Sequence, residues 1–200
     1  MKKFWQKIDP RKWMEFSSPV TLSFLALSAL ALLLHALTGG GSTRALFSVY
    51  RSSMMSPLFY LRLFLHVLGH ADFTHFANNM AMFLLLSPMV ESRYGSGRLA
   101  LMFLITALIS GALNLLLSPG TVSLGASGIV FMLILLSAAS TRKSSKIPLT
   151  LVLVALIYLG QEVVNMFAKD NISQLAHIIG GLCGVGFGLA FPPKDAKTGA

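Results

Sequence analysis

Apolar runs long enough to cross a bilayer recur along this chain, and that recurrence constrains its fold more than any other feature. A helix needs about 20 apolar residues to span the ~30 Å of hydrocarbon, and within it every backbone N–H and C=O must be satisfied internally. Hydropathy and punctuation place six such runs at roughly 20–38, 75–90, 98–117, 127–140, 148–167 and 175–192. Only 12% of the 200 residues are charged, against about 25% in an ordinary soluble domain. The expected fold is all-α, a polytopic membrane protein with one six-transmembrane-helix bundle over 20–192. An N-terminal segment, 1–19, and a tail, 193–200, flank it.

The formal charge of +9 raises the question of nucleic acid, but the cations fall between the apolar runs and form no single stripe. They set orientation instead. With a cytoplasmic N-terminus, the inner segments hold Lys2, Lys3, Lys7, Arg11, Lys12, Arg93, Arg98, Arg142, Lys143, Lys146, Lys194 and Lys197. Arg44, Arg51, Arg62 and Lys169 stay outside, so both termini are expected in the cytoplasm. The N-terminal segment is basic and carries Trp5, Trp13 and Phe16. Val20 to Leu37 is too long for a signal-peptide core, and Thr38-Gly39-Gly40-Gly41 makes a poor cleavage site, so this run reads as a retained first span. Cys183 is the single cysteine and implies no disulfide framework.

Two segments break the pattern. Gly39 to Thr74 is far longer than the ~2–8 residues that usually join bundle helices, and its apolar pieces are too short to span. It is expected to lie in the interface or to dip in from one side. The fourth run, Ser127 to Ser140, has 14 residues. That is about 21 Å of helix. With its inner end pinned by Arg142 and Lys143, its outer end must stop ~10 Å short of the surface, leaving Ser118 to Gly125 as irregular chain at depth. Such backbone is tolerated only inside protein or beside a wet cavity, which implies a pocket with Ser127 at its floor.

Three clusters carry polar chemistry. Leu124-Gly125-Ala126-Ser127-Gly128 sets a serine among small residues at a helix start. It reads either as a nucleophile beside free helix amides or as a packing patch with serine as the cap. His177 shares one face of its helix with Gly180, Gly181, Gly184 and Gly188, a strip without side chains that a neighbour such as the Gly128 helix can approach closely. A lone ionisable group at that depth is costly and therefore a functional candidate. His75 and Asn79 lie four apart on one helix face, both able to donate hydrogen bonds. His66, His70 and His75 could suggest a metal, but no His-Glu-x-x-His spacing or tetrahedral set appears, so no metal and no cofactor are expected.

His75-x-x-x-Asn79, Gly125-Ala126-Ser127-Gly128 and Ala176-His177-x-x-Gly180-x-x-x-Gly184, in that order on spans two, four and six, resemble the rhomboid family over nearly the whole chain. Arg62 followed by His66 is similar to the family's first loop, and Glu91 to Gly97 to its inner turn. The resemblance implies an intramembrane serine endopeptidase with Ser127 as nucleophile and His177 as general base. It implies an oxyanion hole of His75, Asn79 and the Ser127 N–H, with Phe131 packed on the His177 ring. Gly125, Gly128, Gly180 and Gly184 would supply the close packing around these residues. The implied substrates are other transmembrane proteins, cut near the outer face. Met54 to Phe59 matches no part of the family's pattern, which leaves the substrate gate without an assignment.

The alternative is a catalytically inactive relative that binds membrane clients. An ion pathway would need more interior acids than Glu162. Glu91 is expected to anchor structure, either pairing with Arg93 or Arg98 or capping backbone, and Asp72 and Asp170 to be solvated. Small size and the absence of a transit-like N-terminus favour a bacterial plasma membrane, with the site opening to the outside. Neither the natural substrate nor the oligomeric state is legible.

Overall fold

The structure is a computed structural model that describes residues 17–141, 146–165 and 174–194, without the side chains of 162–165. The expectations for the N-terminal aromatics, for Arg142, Lys143, Lys169, Asp170 and Lys197, and for the Glu162 side chain lie outside the described residues. Its elements are α1 (Pro19–Leu37), α2 (Gly41–Ala45), α3 (Pro57–Leu65), a 3₁₀ turn (His66–Leu68), α4 (Phe73–Tyr94), α5 (Ser96–Leu117), α6 (Ser127–Ala139), α7 (Leu149–Asn165) and α8 (Gln174–Ala190). No strand occurs among the described residues; a single antiparallel bridge joins Val49 and Ser123.

Local chemistry sets the boundaries. Proline opens α1 and α3, where its missing N–H costs nothing and its fixed φ suits the first turn. Asp72 caps α4, its carboxylate accepting the His75 N–H at 2.8 Å. This exposed acid is therefore employed by the helix as well as solvated. Between α4 and α5 the chain reverses at Gly95, whose φ of 87° suits a residue without a Cβ.

Helix α6 is the axis of the bundle. Ile129, Met132, Leu133, Leu135 and Leu136 are fully buried and point in all directions, as in a helix ringed by others. It packs on α4, α5, α7 and, most extensively, α8. Helix α1 joins through aromatic rings, Phe24 stacking on Phe83 at 4.7 Å and meeting Phe103 edge-on at 5.3 Å. At its start the Glu91 carboxylate accepts the Val20 and Thr21 N–H groups at 3.0 and 2.9 Å and the Thr21 hydroxyl at 2.8 Å. Glu91 thus takes the capping form of its expected anchoring role, while Arg93 donates to the Ser140 carbonyl at 2.9 Å.

The polarity of the molecule is inverted relative to a water-soluble protein. Thr21, Ser28, Ser87, Thr106, Ser110 and Asn114 are buried between helices, whereas Leu30, Leu33, Leu101, Leu104, Leu153 and Leu156 face outward. A continuous apolar exterior of this kind is stable only against lipid, so this is a membrane protein. Helices α1 and α5 are each long and apolar enough to cross, and α6, α7 and α8 are shorter apolar helices.

Candidate active site

The long first loop carries structure of its own. Arg62, buried on α3, donates from Nε to the Ala45 carbonyl at 2.9 Å and from Nη1 to Ser52 at 3.2 Å, with its guanidinium 4.5 Å over the Tyr50 ring. One turn on, His66 donates from Nδ1 to the Arg62 carbonyl at 3.1 Å, and its Nε2 lies 3.4 Å from the Ser110 hydroxyl. The loop is clasped to the irregular chain ahead of α6 in two places. Val49 and Ser123 exchange backbone hydrogen bonds at 2.8 and 2.9 Å, and the Gly125 N–H donates to the His66 carbonyl at 3.0 Å. Burial pushes both His66 and His70 down to about 4, so both are neutral near pH 7. His70 feels the added repulsion of His75, whose ring is 5.0 Å away.

This clasp fixes the start of α6. Gly125 has φ 120°, and a Cβ there would stand 2.8 Å from His75 Nε2. The glycine is therefore required twice, for its backbone conformation and for the approach of His75. Ala126 is the residue flanking the helix and Ser127 its first helical position, so the serine hydroxyl does not cap α6. Ser127 is half-buried, and its N–H belongs to the first turn, where amides lack an intrahelical acceptor.

The glycine strip of α8 meets this helix start. Gly180 lies with its Cα against the Gly128 backbone, leaving no room for a methyl group. On the other side, a Cβ on Gly128 would be 3.2 Å from the Ala176 carbonyl oxygen. Ser127 precedes Gly128 and His177 follows Ala176, so both stand beside this close approach of the two helices. Below them Gly184 packs on Met132 and Leu135, and Gly188 on Ala139, while Gly181 turns to Leu159 of α7. Phe131 stacks on the His177 ring, centroids 4.4 Å apart and planes within 6°. The half-buried His75 turns its Nε2 toward Gly125, two residues ahead of Ser127. Asn79, buried one turn below His75, donates through Nδ2 to the His75 carbonyl at 3.0 Å.

Of the residues singled out from sequence, His75 thus meets Gly125, Phe131 meets His177, and Gly128 meets Gly180 and Ala176. Sequence reasoning missed the clasp. It weighed His66 and His70 as metal candidates and matched Arg62 and His66 to the family's first loop, without pairing them to other segments, although the four-residue spacing of Arg62 and His66 marked one helical face.

Fold and contacts define a helical membrane protein in which a glycine-lined helix face packs directly on the start of a buried central helix. The Rhomboid domain as found in known proteins matches residues 58–194, and the chain belongs to the rhomboid family. It is 31% identical over 188 residues to "Rhomboid protease GluP" of Bacillus subtilis (strain 168), covering 90% of this chain and 36% of that protein. It is 31% identical over 139 residues to "Putative rhomboid protease YdcA" of the same organism, covering 65% of each. The chain therefore spans about a third of the length of the first relative and just under two thirds of the second.

Proposed function

We propose that this chain is an intramembrane serine endopeptidase that cuts transmembrane proteins near the outer membrane face. The observation that supports the reading is the close backbone contact of Gly128 with Gly180 and Ala176, the chain neighbours of Ser127 and His177 being Gly128 and Ala176. Six spans, α1 and α4 to α8, cross a bacterial plasma membrane with both termini cytoplasmic. The short α6 leaves its first residue below the outer surface, where water enters from outside.

In this mechanism His177 takes the proton of the Ser127 hydroxyl as its oxygen attacks the scissile carbonyl. The tetrahedral oxyanion receives hydrogen bonds from the Ser127 N–H, the His75 ring and the second amide N–H of Asn79. His177 then protonates the departing amine. Water, deprotonated by the same ring, hydrolyses the acyl-enzyme and returns the proton to Ser127. Phe131 supports this cycle by holding the imidazole plane against rotation. A histidine buttressed by packing needs no third carboxylate to orient it.

The test is labelling of detergent-purified protein by a fluorophosphonate probe, with cleavage of a generic transmembrane substrate measured in parallel. Wild type should label and cleave. Ser127→Ala and His177→Ala should do neither while remaining folded. Residual cleavage above ~1% in Ser127→Ala would refute the assignment, because loss of a nucleophile costs several orders of magnitude. A folded wild type that neither labels nor cleaves would favour a client-binding protein without activity.

A further inference from the structure

A second site lies on the far side of the first loop, away from Ser127. Helices α1 and α5 are pinned together at their starts, where Glu91 of α4 binds the first amides of α1 and the Ser96 hydroxyl. Farther along, α3 and the 3₁₀ turn are inserted between them. Under this wedge a groove of about 430 Å³ remains. Phe24 and Leu27 form one wall, Leu104 and Ala107 the other, and Val67 and Leu68 the roof. Pro19 and Ala100 stand at its mouth, at the end of the bundle where both helices begin.

We infer that this groove is a binding site for one acyl chain of an anionic inner-leaflet phospholipid. The inference rests on the six-span reading above, which puts the mouth at the cytoplasmic face. Three observations select the occupant. First, the lining is almost wholly apolar, and such a space does not hold water. Left empty, its lining would forfeit dispersion contacts.

Second, the groove opens sideways onto the lipid-facing exterior. Its rims, Leu27 and Leu104, are half exposed and continuous with the lipid-facing surface, so a chain enters sideways from the bilayer. The wedge of the first loop closes the groove toward the outer leaflet.

Third, among the described residues the charge at the mouth is one-sided. Arg98 lies in the first turn of α5, and the Lys194 ammonium lies against Gly95, just ahead of that turn. Arg93 is close by on α4. The acid among them, Glu91, is buried and fully engaged by hydrogen bonds from α1 and α5. An anionic headgroup fits this surround. The bound chain would brace the wedge whose other side, through the His66 carbonyl, holds Gly125.

The experiment uses full-length protein in detergent, titrated with dioleoyl phosphatidylglycerol or phosphatidylcholine and read by native mass spectrometry and by melting temperature. Wild type should retain one phosphatidylglycerol in preference to phosphatidylcholine and gain several degrees from it. Ser23→Leu and Ala100→Leu, which fill the groove from positions with free space, should cut retention and the thermal gain at least five-fold. Ala29→Leu, on the exposed face of α1 outside the groove, should behave as wild type. Unchanged retention in both filled variants, equal loss in Ala29→Leu, or indifference to headgroup would each overturn the proposal. Substrate cleavage by the same preparations separates the two readings. A wild type that cleaves but shows no groove-dependent lipid leaves the protease assignment standing, whereas groove-dependent lipid with no cleavage removes the protease assignment alone.

Discussion

The glycine strip of α8 makes opposite predictions at positions only a few residues apart. At Gly180 an alanine Cβ would stand 2.8 Å from the Gly128 carbonyl carbon and 3.0 Å from its Cα, and nearer still to its oxygen. All three are backbone atoms of a central helix and cannot rotate away. Restoring ordinary contact requires α8 to retreat by about 1 Å. Overpacking of this kind costs ~1–3 kcal/mol, less the ~1 kcal/mol that alanine gains over glycine as a helix former. At Gly186 nothing lies within 4 Å of the added methyl, so only the gain remains. The two variants should therefore differ in stability by roughly 1–3 kcal/mol. For a chain of this size that is about 2–12 °C in melting temperature.

Activity should separate them further, because a 1 Å shift between Ser127 and His177 is worth ~10²-fold in rate. Gly188→Ala completes the series. Its methyl would press on Ala139, two helical turns beyond Gly180, so it should lose stability with a smaller loss of rate. The assay is thermal unfolding in detergent beside the initial rate of substrate cleavage. If Gly180→Ala melts at or above wild type, or if Gly186→Ala is the more damaged, the close contact of α6 and α8 is not what positions the site.

Acid should loosen the first loop. His66 and His70 titrate near 4 when folded and near 6.5 when unfolded, so the stability they lend is complete above pH 6.5 and is lost as pH falls toward 4. Between pH 7.5 and 5 each should contribute about 2 kcal/mol of destabilisation. The melting temperature should fall over that range, and His70→Gln should fall less; a flat profile in wild type would show that neither imidazole is held neutral. Asn79→Ala should lower turnover by ~10²–10³, the range for one lost oxyanion donor, whereas Asn78→Ala, at an exposed position, should do little. Equal effects in a cleavage assay would mean that α4 is rotated from the described register. Glu91→Ala strands the first amides of α1 and should cost about 1–3 kcal/mol in unfolding experiments while sparing fluorophosphonate labelling of the folded fraction.

The sequence by itself determined the helices and supplied the candidate participants. Its apolar runs predicted six helices to within a few residues, because in hydrocarbon the backbone must satisfy itself along each run. The short run after Ser127 became a 13-residue helix. The second helix reached from Phe73 to Tyr94, beyond the expected 75–90, because Asp72 caps it early and Glu91 turns inward as a polar anchor that hydropathy discounts. The spacing of His177, Gly180 and Gly184 disclosed a bare helical face, since periodicity along one helix is a local property.

Which neighbour that face meets is not local. Only the tertiary structure decided that Gly180 and Gly184 meet α6 while Gly181 turns to α7. It alone showed that His66 and Val49 clasp the chain ahead of Ser127. Those contacts run between backbone groups far apart in the chain, and a backbone carbonyl carries no residue type for a sequence to display. The first loop stayed opaque for the same reason. Its stability comes from Arg62 and His66 bonding to carbonyls and hydroxyls of other segments, pairings set by how the helices pack.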